Sequence, residues 1–135
     1  MEYEKQEQLP PYEKASDFLQ YCNSKIDSLI KKSRKCLRNQ DTASYQQSLI
    51  DKALFVTDMP DLAEEAKAAG TNISEDIMNM LDALSDDAWD AIEYASIKKD
   101  YDWLENMLIK KPRDHYRDGN FLDIVIHELK QNEEL

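Results

Sequence analysis

The densest cluster of chemistry-bearing residues in this chain is Asp86-Asp87-Ala88-Trp89-Asp90, with Glu93 one helical turn later and Asp82 one turn earlier. On a helix, Asp82, Asp86, Asp90 and Glu93 share one face. Three kinds of chemistry fit such a row. Hard cations take oxygen ligands, so carboxylates at this spacing can hold a magnesium ion. Aspartates at a helix start complement the positive end of the dipole, at about 0.3–1 kcal/mol per charge. A row of like charges also steers and docks a partner of opposite sign.

The charge distribution favours the third. Residues 58–106 hold 14 acidic residues and 3 basic ones, a net of −11. Residues 1–57 carry a net of +1 and residues 107–135 a net of −1, so the whole charge of −11 belongs to one segment. A local field of this kind points to a basic partner and says little about fold. The expected contact residues are Asp82, Asp86, Asp87, Asp90, Glu93, Asp102 and Glu105.

Asp86-Asp87-Ala88-Trp89-Asp90 also resembles the aspartate-rich DDxxD motif of trans-prenyltransferases. The same helix is similar to the acidic helices of all-α nucleotide pyrophosphatases, with Glu64-Glu65 a partial counterpart of their paired glutamates. Either resemblance implies a magnesium-dependent enzyme acting through Asp86, Asp87, Asp90 and Glu93. The match spans five residues, and the prenyltransferases need a second acidic motif on a far larger fold.

The remaining candidates read as structural. Lys31, Arg34, Lys35 and Arg38 form one basic stripe, with Lys32 beside it. Cations belong near a helix C-terminus. No aromatic interleaves the stripe to stack on bases, so direct nucleic-acid binding is not expected. Cys36 has Lys32 and Lys35 as neighbours, which would lower a thiol pKa, but it lies on an apolar stripe and reads as a small hydrophobe. His115, between Asp114 and Tyr116 in a charged loop, reads as surface; Asp114 and Asp118 would have to orient it for base catalysis. His127 falls near the end of the last helix. Two histidines without ligand spacing exclude a zinc site of ordinary type. Gly70 and Gly119 are the only glycines, too few for a glycine-rich phosphate loop. No cofactor or metal is expected.

The elements that position these residues are helical. Residues 1–9 read as a frayed tail and residues 10–135 as one all-α domain, a single-domain helical bundle of six or seven helices. Tyr12, Ala15, Leu19, Cys22, Ile26, Leu29, Ser33 and Cys36 alternate steps of three and four. That spacing predicts a long N-terminal helix of roughly 28 residues, about 42 Å. Its stripe offers a route to a homo-oligomer, although the apolar face is wider than a coiled-coil seam. Asn39 to Thr42 caps a second helix that Pro60 ends near Asp58. An alanine-rich third helix stops at Gly70. A fourth starts in the capping box Asn72 to Glu75. Ser85 caps a fifth, with Trp89, Ile92 and Ser96 on its buried face and Ala88 and Ala95 alongside. A sixth runs from Tyr101 to Lys111, Asp118-Gly119-Asn120 is a turn, and Phe121 to Leu129 is a last helix.

No run of about 18 apolar residues exists, so no membrane span is expected. Cys22 and Cys36 on one helix would lie about 21 Å apart, too far for a disulfide. Free thiols and the acidic, polar start point to a cytoplasmic protein. The expectation from sequence is a small acidic, non-enzymatic binding protein that inhibits or regulates a basic, possibly nucleic-acid-binding, protein. Immunity and anti-defence proteins are the class analogy. A structural adaptor subunit and a magnesium-dependent hydrolase are the alternatives.

Overall fold

A computed structural model describes residues 12–107 and 121–133, and in them every named element is a helix. Five helices follow in order: α1 (Ala15–Arg38), α2 (Thr42–Ala68), α3 (Glu75–Lys98), α4 (Asp102–Asn106) and α5 (Phe121–Glu133). α2 stands at the centre, packed on α1, α3 and α4, while α5 covers the far side of α1. The expected six or seven helices are five among the described residues, and the first has 24 residues rather than 28. The expected sixth helix, Tyr101 to Lys111, is the five-residue α4, which ends at Asn106 because Met107 turns extended (φ −60°, ψ 128°); the tail at 1–9, the loop around His115 and the turn at Asp118 lie outside the described residues.

Most local signals act as their chemistry dictates. The Asp41 side chain accepts a hydrogen bond from the Ser44 amide at 3.2 Å and starts α2. Ser74 does the same for the Ile77 amide at 3.2 Å and starts α3, with Glu75 and Asp76 in its first turn. α2 ends where Gly70 takes φ +112°, and the Thr71 amide then reaches back to the Ala66 carbonyl at 2.9 Å. Thr71 Oγ1 in turn accepts from the Tyr12 amide at 3.1 Å and donates to the Tyr12 carbonyl at 2.7 Å, tying the start of the fold to the α2–α3 turn.

Two expected breaks are absent, for one reason. Pro60 sits inside α2 and Ser85 inside α3. Pro60 lacks the N–H that would serve the Val56 carbonyl. Beside that point, Ser85 Oγ donates to the Thr57 carbonyl at 3.2 Å. The serine that reads as an N-cap thus serves the neighbouring helix instead. Packing of α2 against α1, α3 and α4 favours one continuous helix, and the two expected short helices are one of 27 residues.

A second correction concerns which side of α3 is inside. The buried residues of its second half are Ser85, Ala88, Ala91 and Ala95. Trp89 is 54% exposed, and Ser96 is exposed as well. α2 likewise buries Ser48, Ala53, Ala63 and Ala66. Small residues let helix axes approach, and an indole would hold them apart. Bulk therefore concentrates elsewhere in the core, in Phe18, Leu19, Ile26, Met59, Leu81, Leu104 and Leu122, all completely buried.

The first half of the α1 stripe, Ala15, Leu19, Cys22 and Ile26, is buried in the bundle, where α1 packs on α2 and α5, while Leu29 and Cys36 are half-buried. The α1–α5 seam also carries polar pairs. Ser16 Oγ donates to Glu133 Oε1 and Asn23 Nδ2 to Asp123 Oδ1, each at 2.7 Å. Cys22 is buried and Cys36 half-buried, and both are free thiols. Burial pushes the Cys22 thiol up to about 12.

This packing predicts an inversion of the usual size rule. Trp89→Ala should change stability by less than about 1 kcal/mol, whereas Ala88→Leu should cost about 1–3 kcal/mol through overpacking. Urea denaturation of the two variants checks it.

Candidate protein-docking surface

The surface is built on α3. Asp82, Asp86, Asp90 and Glu93 are all exposed and run along the side opposite its alanine face. Ile97, 66% exposed, continues the same row. Trp89 and Tyr94 are separated by about 140° around the helix, at 100° per residue, and flank the row on opposite shoulders. The acidic stripe is therefore bordered by exposed aromatic surface on both sides.

α4 supplies the rest. Lys99 ends α3 in the left-handed conformation, φ 59°, with its amide on the Ala95 carbonyl at 2.9 Å. Asp100 Oδ1 then accepts from the Asp102 amide at 3.0 Å, and the chain folds back. That reversal sets Trp103 against Tyr94, ring centroids 5.1 Å apart at 45°. Trp103 is 58% exposed, while its neighbour Leu104 is completely buried and anchors α4. Asp87, Asp90, Ala91, Trp103 and Met107 line an open depression of about 340 Å³ between the two helices.

A helix of five residues cannot hold itself in place. Lys52 of α2 does so from below. Its side chain is 2% exposed, and Nζ donates to the backbone carbonyls of Met107 at 3.2 Å and Glu105 at 3.4 Å. Tyr45 donates its hydroxyl to Glu105 Oε2 at 2.5 Å. Burial lowers the Lys52 ammonium to about 8, against a smaller upward pull from Glu105. Burial and the bond to Glu105 raise the Tyr45 phenol. Sequence reasoning missed Lys52, although its place on the stripe of Tyr45, Leu49, Ala53 and Val56 was the signal.

The expected contact residues therefore divide. Asp82, Asp86, Asp90 and Glu93 form one row, and Asp87 stands at the rim of the depression. Asp102 is exposed on α4. Glu105 is exposed on α4 as well, where it accepts from the Tyr45 hydroxyl. Among the described residues, no group of three or more His, Cys, Asp or Glu side chains is placed to hold a metal ion. Lys31, Lys32, Arg34, Lys35 and Arg38 are exposed at the C-terminal end of α1, and His127 is exposed on α5, 3.2 Å from Gln131. A second groove, about 620 Å³, lies between α1 and α2. Tyr21, Leu29, Phe55 and Leu62 line it, with Lys25 on one wall and Asp58, Asp61 and Glu65 on the other. The spacing i, i+3, i+7 of those three acids was its sequence signal. No helix among the described residues is long and apolar enough to cross a membrane. Comparison with protein-family models, with curated proteins and with solved structures returned no match.

The position of Lys52 gives a pH signature. Its folded pKa of about 8 lies below the ordinary value of 10.5, so between those values the unfolded chain binds the extra proton. The Lys52 contribution to stability must then rise with pH across that window, while Cys22, raised by burial from 9.0 to about 12, works against it because the unfolded chain loses the thiol proton first. Above pH 10 the raised Tyr45 phenol works the other way, because the unfolded chain loses its proton first. Denaturation of the parent should therefore show a gain from pH 7.5 to 9.5 that Lys52→Met lacks. The same pH dependence in parent and variant would mean that Lys52 is hydrated.

Proposed function

We propose that this chain is a small acidic binding protein that captures a basic protein partner on the α3–α4 face. Asp82, Asp86, Asp87, Asp90, Glu93, Asp102 and Glu105 supply the attraction, and Trp89 and Trp103 supply the contact area. One observation carries the reading: both tryptophans of the protein are more than half exposed, on and beside the helix that holds the acidic row. Burying a large apolar side chain stabilises a fold by roughly 1.5–3 kcal/mol. This fold forgoes most of that twice within one small area. Tryptophan and tyrosine are enriched among interface anchors, and charge around them sets orientation and association rate.

The partner class follows from the spacing. Carboxylates on successive helical turns lie about 6 Å apart, close to the phosphate spacing along one nucleic-acid strand. A basic nucleic-acid-binding protein, inhibited by occupation of its phosphate-binding surface, is the partner this row fits best. The free thiols fit a reducing, intracellular setting.

A labelled octalysine peptide tests the surface without knowledge of the partner. Binding should weaken steeply with salt. Asp86→Lys, Asp90→Lys and Glu93→Lys together should lower affinity about tenfold or more. The matched triple on α2, Asp61→Lys, Glu64→Lys and Glu65→Lys, changes net charge equally and should cost about threefold at most, since distant charges are screened. Equal losses from both triples would show that only net charge matters and that α3 is a solubilising face.

A further inference from the structure

The depression between α3 and α4 has more chemistry than a charged face requires. It is lined by the exposed indole of Trp103, by Ala91 and Met107, and by the exposed carboxylates Asp87 and Asp90. We propose that it receives a single arginine side chain of the basic partner, with the guanidinium stacked on Trp103 and donating to Asp87 and Asp90. The proposal rests on the docking reading above and names the group that this part of the surface selects.

The match is one of shape and charge. A guanidinium is planar, weakly hydrated, and presents a fork of donors that two carboxylates can accept together. Its flat face stacks on an indole, whose negative π-face attracts a cation. Asp87 and Asp90 are three residues apart on one helix, a separation of neighbours. An ammonium is a compact, strongly hydrated charge and uses the flat wall poorly. The wall is held: Tyr94 packs against Trp103 on one side, and Lys52 fixes the carbonyls at the end of α4. Trp89, on the other shoulder of the acidic row, takes no part in the depression.

Nuclear magnetic resonance can follow both indole N–H signals, because the protein has only two tryptophans. Titration with N-acetyl-arginine amide should move the Trp103 indole and the Ala91 amide in a saturable way, with Trp89 little affected. N-acetyl-lysine amide should bind about three- to fivefold more weakly. Trp103→Leu should abolish that preference. Equal response to the two amides, or equal movement of Trp89 and Trp103, would overturn the arginine site. Octalysine added to the same sample separates the two ideas. If it still moves the Asp86 and Glu93 amides, the docking surface stands and only the arginine site fails; if nothing moves, both fall.

Discussion

The close approach of α2 and α3 through small side chains is the constraint on which the rest depends. Ser85, Ala88, Ala91 and Ala95 are all that the second half of α3 buries. With those positions committed to the interior, and Leu84 and Ile92 half-buried beside them, the opposite side and both shoulders of α3 are left to solvent. Trp89, Tyr94 and Ile97 turn outward together with Asp82, Asp86, Asp90 and Glu93. A charged row with aromatic shoulders is thus a consequence of how the helices meet, before any partner is considered. The hydrogen bond from Ser85 to the Thr57 carbonyl fixes that meeting point beside Pro60.

A second constraint acts on α4. Five residues carry Trp103 and would not form a stable helix alone. Buried Leu104 and the ammonium of Lys52 hold them against α2. Burying a cation is costly unless its donors are used, and here two backbone carbonyls use them. The cost falls on the fold and the benefit on the surface, which gains a fixed indole wall. The two tryptophans, 14 residues apart in sequence, are placed by different means: one by the alanine face of α3, the other by a lysine on a different helix.

The helical class, the starts of α2 within Asn39–Thr42 and of α3 within Asn72–Glu75, and the stop at Gly70 are readable, because each rests on chemistry within four or five residues, although the capping side chain of α3 is Ser74 and not the Asn72 that a capping box ending in Glu75 requires. Leu122 and Ile126 are buried as their spacing requires. The errors came where distant residues decide. Pro60 and Ser85 look like breaks until α2 and α3 lie side by side. The spacing of Trp89 with Ile92 and Ser96 predicts an inward face, yet apolar residues are common on surfaces, and here the alanines occupy the interior instead. Lys52 cannot be recognised as buried until α4 folds back over it. For the candidate site, the carboxylates were legible from charge alone. The aromatic half was not, since its exposure depends on the register of one helix against another.

The central claim is that both indoles stand in water within a negative field, and collisional quenching tests it directly. The tryptophan emission belongs wholly to Trp89 and Trp103. Quenching by caesium, a cation, should be efficient, and quenching by iodide at matched low ionic strength should be several-fold weaker, with the difference closing as salt screens the field over about 8 Å. Emission that resists caesium, or iodide quenching as strong as caesium quenching at low salt, would place the tryptophans away from the acidic row and contradict the account.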